Sequence, residues 1–381
     1  MIRALGMMSG TSLDGVDAAL IDTDGIRIGA FGAHAFRAFS DNEQAALHDG
    51  LGRWPDDPAV PDVAALIEAA HADLAAGFAD AQLIGFHGQT LAHDPRGRGT
   101  HQAGSGAALA RRAGRPVVWD FRSEDVRRGG EGAPLVPFFH WACAEWAVGQ
   151  GTLRPAPVAF LNLGGVGNIS WVDPTADAPE APDACLAFDT GPANAPLNDL
   201  MRARRRQARD EGGALALSGR PDAAALAAFL SHPYFARPAP KSLDRDAFAG
   251  LSDSVAGLSD ADAAATLVAA AAGAVAAGLA WLPAPPARLL VCGGGRHNRA
   301  MMEALSRALP MPVAPVEAIG LNGDMLEAQA FGWLAVRVLR GLPISGPTTT
   351  AAPEPVCGGR ISHPRRGGTT NVKGTVPPGL R

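Results

Sequence analysis

The stretch Met8–Asp17 reads MSGTSLDGVD, and it lies between two apolar runs, Ala4–Met8 and Val16–Ile21. Two glycines punctuate the segment between the runs, which is the pattern of a β-hairpin with a glycine-rich turn. Val158–Leu163 leads into a second glycine-rich turn, and Ile169–Val172 follows that turn. This recurrence, about half a chain apart, is a weak internal repeat and predicts two domains built on one plan.

Helical patterns and short apolar runs alternate between and after these hairpins. Helices are predicted at Asp62–Ala79 and Asp260–Leu282, and short strands at Gln82–Phe86, Pro116–Trp119 and Arg288–Cys292. This alternation predicts an α/β fold in which helices cover largely buried strands. A chain of 381 residues exceeds what one hydrophobic core usually supports, so we expect two domains with a ligand cleft between them.

Composition narrows the class of protein. The formal net charge of −5 argues against a nucleic-acid surface, which is normally strongly basic. The four cysteines form no C-x-x-C pair, so neither a zinc site nor a disulfide framework is expected. The N-terminus lacks the apolar core of a signal peptide. The uncharged stretch Ala263–Leu282 is mostly Ala and Gly, which favours a buried helix over a membrane span. We therefore expect a cytoplasmic protein that acts on small molecules.

Two glycine-rich elements are compatible with phosphate binding. The turn Gly10–Gly15 combines exposed backbone N–H groups with two hydroxyls, which can hold phosphate oxygens. An ordinary hairpin turn would show the same pattern, and the Walker spacing is absent. The segment Gly293–Asn298 follows an apolar run and opens a helix, which brings backbone and a helix N-terminus towards a nucleotide. Together these elements favour an actin-like nucleotide cleft.

Three further residues could carry chemistry or be structural. Asp189 ends an apolar run, where a carboxylate can accept a proton from a hydroxyl or a water, although an Asx-turn explains it as well. Glu327 stands three residues after Asp324, which is the spacing of a capping box at the start of a helix that ends before Gly341. His87 offers a contact to sugar hydroxyls, but a single histidine is more often structural.

Taken together, these segments resemble the anhydro-N-acetylmuramic acid kinase family, whose motifs recur here in order up to about Pro364. The matching motifs are Met8–Asp17 (MSGTSLDGVD), His87–Thr90 (HGQT), Val117–Arg122 (VVWDFR), Gly129–Pro137 (GGEGAPLVP), Leu161–Ser170 (LNLGGVGNIS), Phe188–Asn194 (FDTGPAN), Pro240–Ser242 (PKS), Cys292–Asn298 (CGGGRHN) and Gly320–Ala328 (GLNGDMLEA). Several of them are long and distinctive. Two positions depart from the family pattern: Ser105 stands where an acidic residue is expected, and Ala351 stands where a glycine is expected.

The resemblance implies two actin-like, ribonuclease H-like domains with an ATP and substrate cleft between them. We expect the first domain at 1–134, with residues 345–363 packing back on it, and the second at 135–344. The composition of residues 364–381 predicts a disordered tail. The resemblance also implies an enzyme, a homodimer, that uses ATP and Mg²⁺ to convert 1,6-anhydro-N-acetylmuramic acid into N-acetylmuramic acid 6-phosphate during peptidoglycan recycling.

The family's functional residues carry over by motif. Asp189 is then the general base that activates the water attacking the anomeric carbon, and Glu327 assists it or orients the sugar. The ATP phosphates are held by Gly10, Thr11, Ser12, Leu13, Asp14, Gly15, Val16 and Asp17. The nucleotide is approached by Gly293, Gly294 and Gly295. Contacts with sugar or phosphate are expected from His87, Gln89, Thr90 and Asn168. The motifs assign no magnesium ligand; Asp14 or Asp17 acting through water is one interpretation.

Two alternatives stay open at this point. The first keeps the actin-like fold and makes the protein a kinase for a different sugar. The second is a non-catalytic, nucleotide-sensing actin-like protein. Asp189 and Glu327 beside intact glycine-rich segments favour an enzyme.

Overall fold

The computed structural model describes residues 1–10, 12–243, 248, 250–364 and 366–371. Contacts divide the chain into two compact units. The first unit comprises Met1–Trp146, Ala178–Glu180 and Met325–Arg381, and the second comprises Ala147–Asp177 and Ala181–Asp324. This division differs from the predicted boundaries at 134 and 344, because a helix at 326–340 packs against the strands of the first unit.

Strands and helices alternate along most of the chain. The strands are β1 (Ile2–Ser9), β2 (Gly15–Thr23), β3 (Ile28–Ala38), β4 (Leu83–Asp94), β5 (Gly99–Ala103), β6 (Val117–Trp119), β7 (Val158–Leu163), β8 (Val166–Val172), β9 (Cys185–Pro192), β10 (Leu289–Cys292), β11 (Val313–Pro315), β12 (Arg360–His363) and β13 (Arg366–Asn371). The α-helices are α1 (Asp41–Gly50), α2 (Val60–Ala75), α3 (Gly106–Ala113), α4 (Ser123–Arg127), α5 (Pro137–Gly149), α6 (Asn194–Leu200), α7 (Ala214–Ser218), α8 (Ala223–Leu230), α9 (Gly250–Ser254), α10 (Asp260–Gly278), α11 (Arg299–Ala308), α12 (Leu326–Arg340) and α13 (Pro347–Thr350).

Each unit contains one mixed sheet. In the first unit the order is β13-β12-β6-β4-β1-β2-β3, with β5 paired to β4, and in the second it is β11-β10-β7-β8-β9. The first three strands of each unit form an antiparallel meander, and the next strands add in parallel to the first one. Both sheets therefore share the strand order 3-2-1-4-5 of ribonuclease H-like domains. The predicted α/β fold and the internal repeat are confirmed.

Glycines let α12 lie directly on the first sheet. A Cβ atom on Gly6 of β1 would lie 1.7 Å from the carbonyl oxygen of Ala328, and one on Gly85 of β4 would lie 2.1 Å from that of Phe331. The backbones of helix and strands therefore touch where side chains would otherwise separate them. As predicted, α12 ends at Arg340 and is capped by Gly341 in a left-handed conformation. This packing fixes the start of α12, and with it Glu327.

Helix α10 forms the centre of the second unit. The segment Asp260–Trp281, which consists of α10 and the turn that follows it, is long and apolar enough to span a membrane. However, 67% of its apolar 18-residue stretch is buried inside the protein. Its alanines allow close contacts: a Cβ atom on Gly191 of β9 would lie 2.7 Å from the Cβ of Ala274. The prediction of a close-packed, buried helix at this position is confirmed.

The C-terminal segment returns to the first sheet. Strand β12 pairs with β6 on one side and with β13 on the other. Residues 366–371 therefore form a strand where a disordered tail was predicted, because β12 offers them a backbone edge to pair with. The rest of the predicted tail, Arg365 and residues 372–381, lies outside the described residues.

Candidate active site

In the first unit, candidate residues gather at the carboxyl ends of parallel strands. Gly10 follows β1 directly, and Ser9 at the end of β1 lies opposite Gln89 of β4. His87 lies just beyond the point where β6 pairs with β4, and Arg122 follows β6 by three residues. The carboxyl ends of parallel strands are where α/β proteins bind ligands. The fold therefore places the glycine-rich turn and the HGQT motif at one edge.

Gln89 connects these two motifs. Its Nε2 donates hydrogen bonds to the carbonyl oxygens of Gly10, at 3.1 Å, and Thr90, at 3.4 Å. The side chain is fully buried, and its Oε1 has no hydrogen-bond partner among the described residues. Thr90 itself accepts a hydrogen bond from Gln102 Nε2. Because a buried acceptor without a donor is costly, Gln89 Oε1 is suited to receive a donor from a ligand.

The predicted phosphate turn contains residues of two kinds. Leu13 and Val16 are buried in the core, so only their backbone could serve a ligand. Gly15 is required sterically, because a Cβ there would lie 2.3 Å from the carbonyl oxygen of Arg37. Gly10, in contrast, has room for a Cβ, whose nearest neighbour would be Ser12 Oγ at 3.8 Å. The side chains of Ser12 and Asp14 are exposed, Asp17 is half-buried in β2, and Thr11 lies outside the described residues.

Arg122 fixes the tautomer of His87. The Arg122 Nε–H donates to His87 Nε2 at 3.1 Å, so the proton resides on Nδ1 and is donated to the Gly88 carbonyl at 2.7 Å. Burial, together with the Arg122 charge, holds the pKa of His87 well below its ordinary value. Burial also lowers the pKa of Arg122 to about 10, and the charge of Glu327 opposes that shift. Arg122 was not among the predicted site residues, although its position just after a parallel strand was a signal that could have identified it.

Glu327 is the second residue of α12. The cap residue is Met325, which makes no side-chain hydrogen bond to the helix, so the predicted capping box between Asp324 and Glu327 is wrong. Asp324 instead forms an ion pair with Arg296 at 2.8 Å. Glu327 therefore stands in the first turn, where the helix dipole stabilises a negative charge.

In the second unit, Asp189 and Asn168 face each other on neighbouring strands. Asn168 Nδ2 donates to Asp189 Oδ1, and the Leu243 N–H donates to Oδ2, both at 2.8 Å. Burial raises the pKa of Asp189, and these two hydrogen bonds act in the opposite direction. The alternative of an Asx-turn is wrong, because the carboxylate binds β8 and a distant loop rather than its own turn. Its geometry suits a base that is held in one orientation.

In the triple glycine after β10, packing requires a glycine at two positions, whereas the third has space for a side chain. Gly293 has a φ of 72°, and a Cβ there would lie 2.2 Å from Asn162 Oδ1. A Cβ on Gly295 would lie 2.5 Å from Leu163 Cβ, whereas one on Gly294 would meet nothing within 4 Å. The buried Arg296 donates to the Gly293 carbonyl at 3.0 Å. The loop is therefore held rigid and leaves open space beside Gly294.

Ser105, one of the two departures, has a local structural role. Its hydroxyl accepts a hydrogen bond from the Ala108 N–H and caps α3. Its own N–H donates to the carboxylate of Glu68 at 2.9 Å. Ala351, where a glycine was expected, adopts the left-handed conformation with a φ of 58°.

A duplicated ribonuclease H-like sheet, with glycine-rich segments and carboxylates at the ends of its strands, defines the class: the fold is actin-like. The family model for anhydro-N-acetylmuramic acid kinase matches residues 2–364. The anhydro-N-acetylmuramic acid kinase of Cereibacter sphaeroides is 63% identical over 95% of this chain and 96% of its own length, and anhydro-N-acetylmuramic acid kinase 1 of a Jannaschia species is 57% identical over the same shares. The chain belongs to the anhydro-N-acetylmuramic acid kinase family.

Proposed function

We propose that this chain is the ATP-dependent kinase that opens the 1,6-anhydro ring of 1,6-anhydro-N-acetylmuramic acid with water and phosphorylates O6. The products are N-acetylmuramic acid 6-phosphate and ADP, and the reaction belongs to peptidoglycan recycling in the cytoplasm. Family membership over residues 2–364 supports the substrate. The observation that carries the chemistry is the Asp189 carboxylate, half-buried and fixed by hydrogen bonds from Asn168 and Leu243.

In the first step, Asp189 accepts a proton from a water molecule. Among the described residues, each carboxylate oxygen accepts one hydrogen bond, and a carboxylate oxygen has a second lone pair that can accept one from that water. The water oxygen bonds to C1 of the sugar, the bond between C1 and the bridging oxygen breaks, and that oxygen stays on C6. Glu327, in the first turn of α12, assists the base or orients the sugar. His87, Gln89, Thr90 and Asn168 supply the sugar or phosphate contacts.

In the second step, the freed O6 attacks the γ-phosphorus of ATP and ADP leaves. Phosphoryl transfer depends mainly on positioning and on stabilising charge. We assign the phosphates to the backbone of the Gly10–Asp17 turn and the approach to the nucleotide to Gly293–Gly295. Open space at Gly10 and Gly294 supports this assignment, because the packing of the described residues does not require a glycine at either position.

Mg²⁺ would arrive with ATP and neutralise charge on the phosphate oxygens. It usually keeps several waters and binds one or two carboxylates besides the phosphates. The described residues include no cluster of three potential ligand side chains, which fits an ion held mainly by ATP. The exposed Asp14 and the half-buried Asp17 lie in and just after the turn, where they could bind the waters that Mg²⁺ keeps.

A sugar panel tests the substrate. ADP release with MgATP should be seen with 1,6-anhydro-N-acetylmuramic acid and be at least about 100-fold slower with N-acetylglucosamine, glucose or xylulose. Faster turnover of another sugar would favour the first alternative, a kinase of the same fold with a different substrate. ATP binding without turnover of any sugar would favour the nucleotide-sensing alternative. Light scattering of the purified protein tests the homodimer, which remains a prediction.

A further inference from the structure

Lysine is almost absent from this chain. Of its 33 basic residues, only Lys241 and Lys373 are lysines, and all others are arginines. Lys373 lies outside the described residues. Lys241 is only 7% exposed, although lysine is among the residues that are least often buried. One of the two lysines in this arginine-rich chain is therefore buried in the interior, where a structural role is expected.

The ammonium group of Lys241 stands among three aromatic rings. Nζ lies 4.5 Å from the ring centre of Tyr234, 5.7 Å from that of Phe188 and 5.8 Å from that of Trp281. It also donates a hydrogen bond to the Tyr234 carbonyl oxygen at 3.1 Å. A desolvated cation is attracted electrostatically to the faces of aromatic rings. These contacts tie both ends of the segment 234–241 together and to β9.

This segment and the two residues after it make three hydrogen bonds with Asp189, the proposed base. The Tyr234 hydroxyl donates to the Asp189 carbonyl oxygen at 2.5 Å, and the Asp189 N–H donates to the Lys241 carbonyl oxygen at 2.9 Å. Two residues beyond Lys241, the Leu243 N–H donates to the Asp189 carboxylate. Any movement of the segment would therefore move both the backbone and the carboxylate of Asp189.

We propose that Lys241 is a positioning residue for Asp189. Its ammonium group, enclosed by Phe188, Tyr234 and Trp281, holds residues 234–243 against β9 and so fixes the orientation of the Asp189 carboxylate. This role rests on the proposed function. Arginine cannot replace it well, because a planar guanidinium is larger than the compact ammonium group that the rings enclose.

The role makes activity sensitive to alkaline pH. Burial and the Arg237 charge lower the pKa of Lys241 to about 8. Among the described residues, Arg237 is the charged group that acts on Lys241, Tyr234 is the titratable group in contact with its ammonium group, and Asp189 contacts its backbone. Burial and the Asp189 charge raise the pKa of Tyr234 above its ordinary value, so Tyr234 stays neutral in this range. As pH rises through about 8, Lys241 loses its proton and the attraction to the rings. Turnover should then fall although Asp189 stays ionised.

Because the chain contains only two lysines, the titration of Lys241 can be observed directly. Protein labelled with ¹³C at lysine Cε should give two signals in NMR spectra, and the signal lost in Lys373→Arg identifies Lys373. The Lys241 signal should titrate with a midpoint near 8 and the other near the ordinary value of about 10.4. A Lys241 midpoint near 10.4 would overturn the proposed pH dependence.

Kinetics test the positioning. Lys241→Met keeps the length of the side chain without its charge, and kcat should fall roughly 10- to 100-fold while KM for both substrates changes little, because only the aim of the base is lost. Lys241→Arg should restore part of kcat and lose the alkaline decline, and Lys373→Arg should match the parent protein. Thermal unfolding verifies that each variant is folded; if Lys241→Met does not fold, Lys241→Arg must still lose the alkaline decline.

The outcomes separate the two proposals. A parent protein that turns over the sugar, with Lys241→Met retaining its kcat and its alkaline decline, overturns the positioning role alone. A parent protein that turns over no sugar overturns the proposed function, and the positioning role fails with it.

Discussion

Asn168 on β8 and Asp189 on β9 lie directly opposite each other, and the amide of the first donates a 2.8 Å hydrogen bond to the carboxylate of the second. The register of paired strands fixes which side chains share a face, so this contact is set by the sheet itself. A carboxylate held in this way, which we propose as the base, keeps its orientation without help from the substrate. Preorganisation of this kind is what proton abstraction from a poor acid such as water requires.

Replacing Asp189 by Asn should remove the proposed base with little change in the shape of the side chain. We expect turnover to fall roughly 10²- to 10⁴-fold, equivalent to about 3–5 kcal/mol of barrier. Steady-state ADP release measures it. The exposed Asp177 of the same unit provides the control, since Asp177→Asn should leave turnover unchanged. Near-parental turnover in Asp189→Asn would refute the assignment of the base.

Asn168→Ala should alter the acid side of the pH profile. The hydrogen bond from Asn168 favours the ionised form of Asp189, so its loss raises the pKa of Asp189 further above the ordinary value of 3.8. The base form then disappears at a higher pH as the solution is acidified. The acidic decline of kcat should therefore move to higher pH. Ser170→Ala, a buried position on the same strand, should leave it in place; an unmoved decline in Asn168→Ala would contradict this coupling.

The triple glycine allows ligand contact to be separated from folding. A methyl group on Gly294 would have no neighbour within 4 Å in the described part of the chain, whereas one on Gly295 would lie 2.5 Å from Leu163 Cβ. Gly294→Ala should therefore keep its melting temperature and raise KM for ATP about tenfold. Gly295→Ala should lose roughly 1–3 kcal/mol of stability through overpacking. An unchanged KM for ATP in Gly294→Ala would remove this loop from the nucleotide site.

His71 should make the protein sensitive to acid. Its Nδ1 is 2.7 Å from the Ile67 carbonyl, and burial lowers its pKa from 6.5 to about 4. Because the folded pKa lies below the unfolded one, stability is complete above about 6.5 and is lost as pH falls towards 4, by about 3 kcal/mol. Urea unfolding of His71→Leu at pH 7.5 and pH 5 should show a smaller difference than the parent. His48→Gln, an exposed position, should behave as the parent; an identical acid sensitivity in His71→Leu would contradict the attribution.

Features encoded locally were predictable from the sequence, and long-range contacts were not. Glycine-rich turns between apolar runs are local signals, so both hairpins and the repeat could be predicted. Helix α12 was placed in the second domain because nothing local shows that Gly6 and Gly85 accept its backbone. The capping box failed for the same reason, since Arg296 captures Asp324.

The candidate site shows the same division. Asp189 could be singled out at the end of an apolar run, and the family motifs supplied its role. Asn168 was also a predicted site residue, but the partners Leu243 and Tyr234 could not be predicted, because they are more than 40 residues away from Asp189 along the chain. Lys241 lay inside a matched motif, but its burial among three rings is visible only in the folded protein.

The most direct test of the central claim is the fate of the water oxygen. MgATP and 1,6-anhydro-N-acetylmuramic acid are incubated with the protein in ¹⁸O-labelled water, and the sugar product is analysed by mass spectrometry. Coupled hydrolysis and phosphorylation predicts one ¹⁸O atom at C1 and an unlabelled phosphate on O6. Label in free phosphate, with the anhydro ring intact, would show that water attacks ATP instead and would contradict the account.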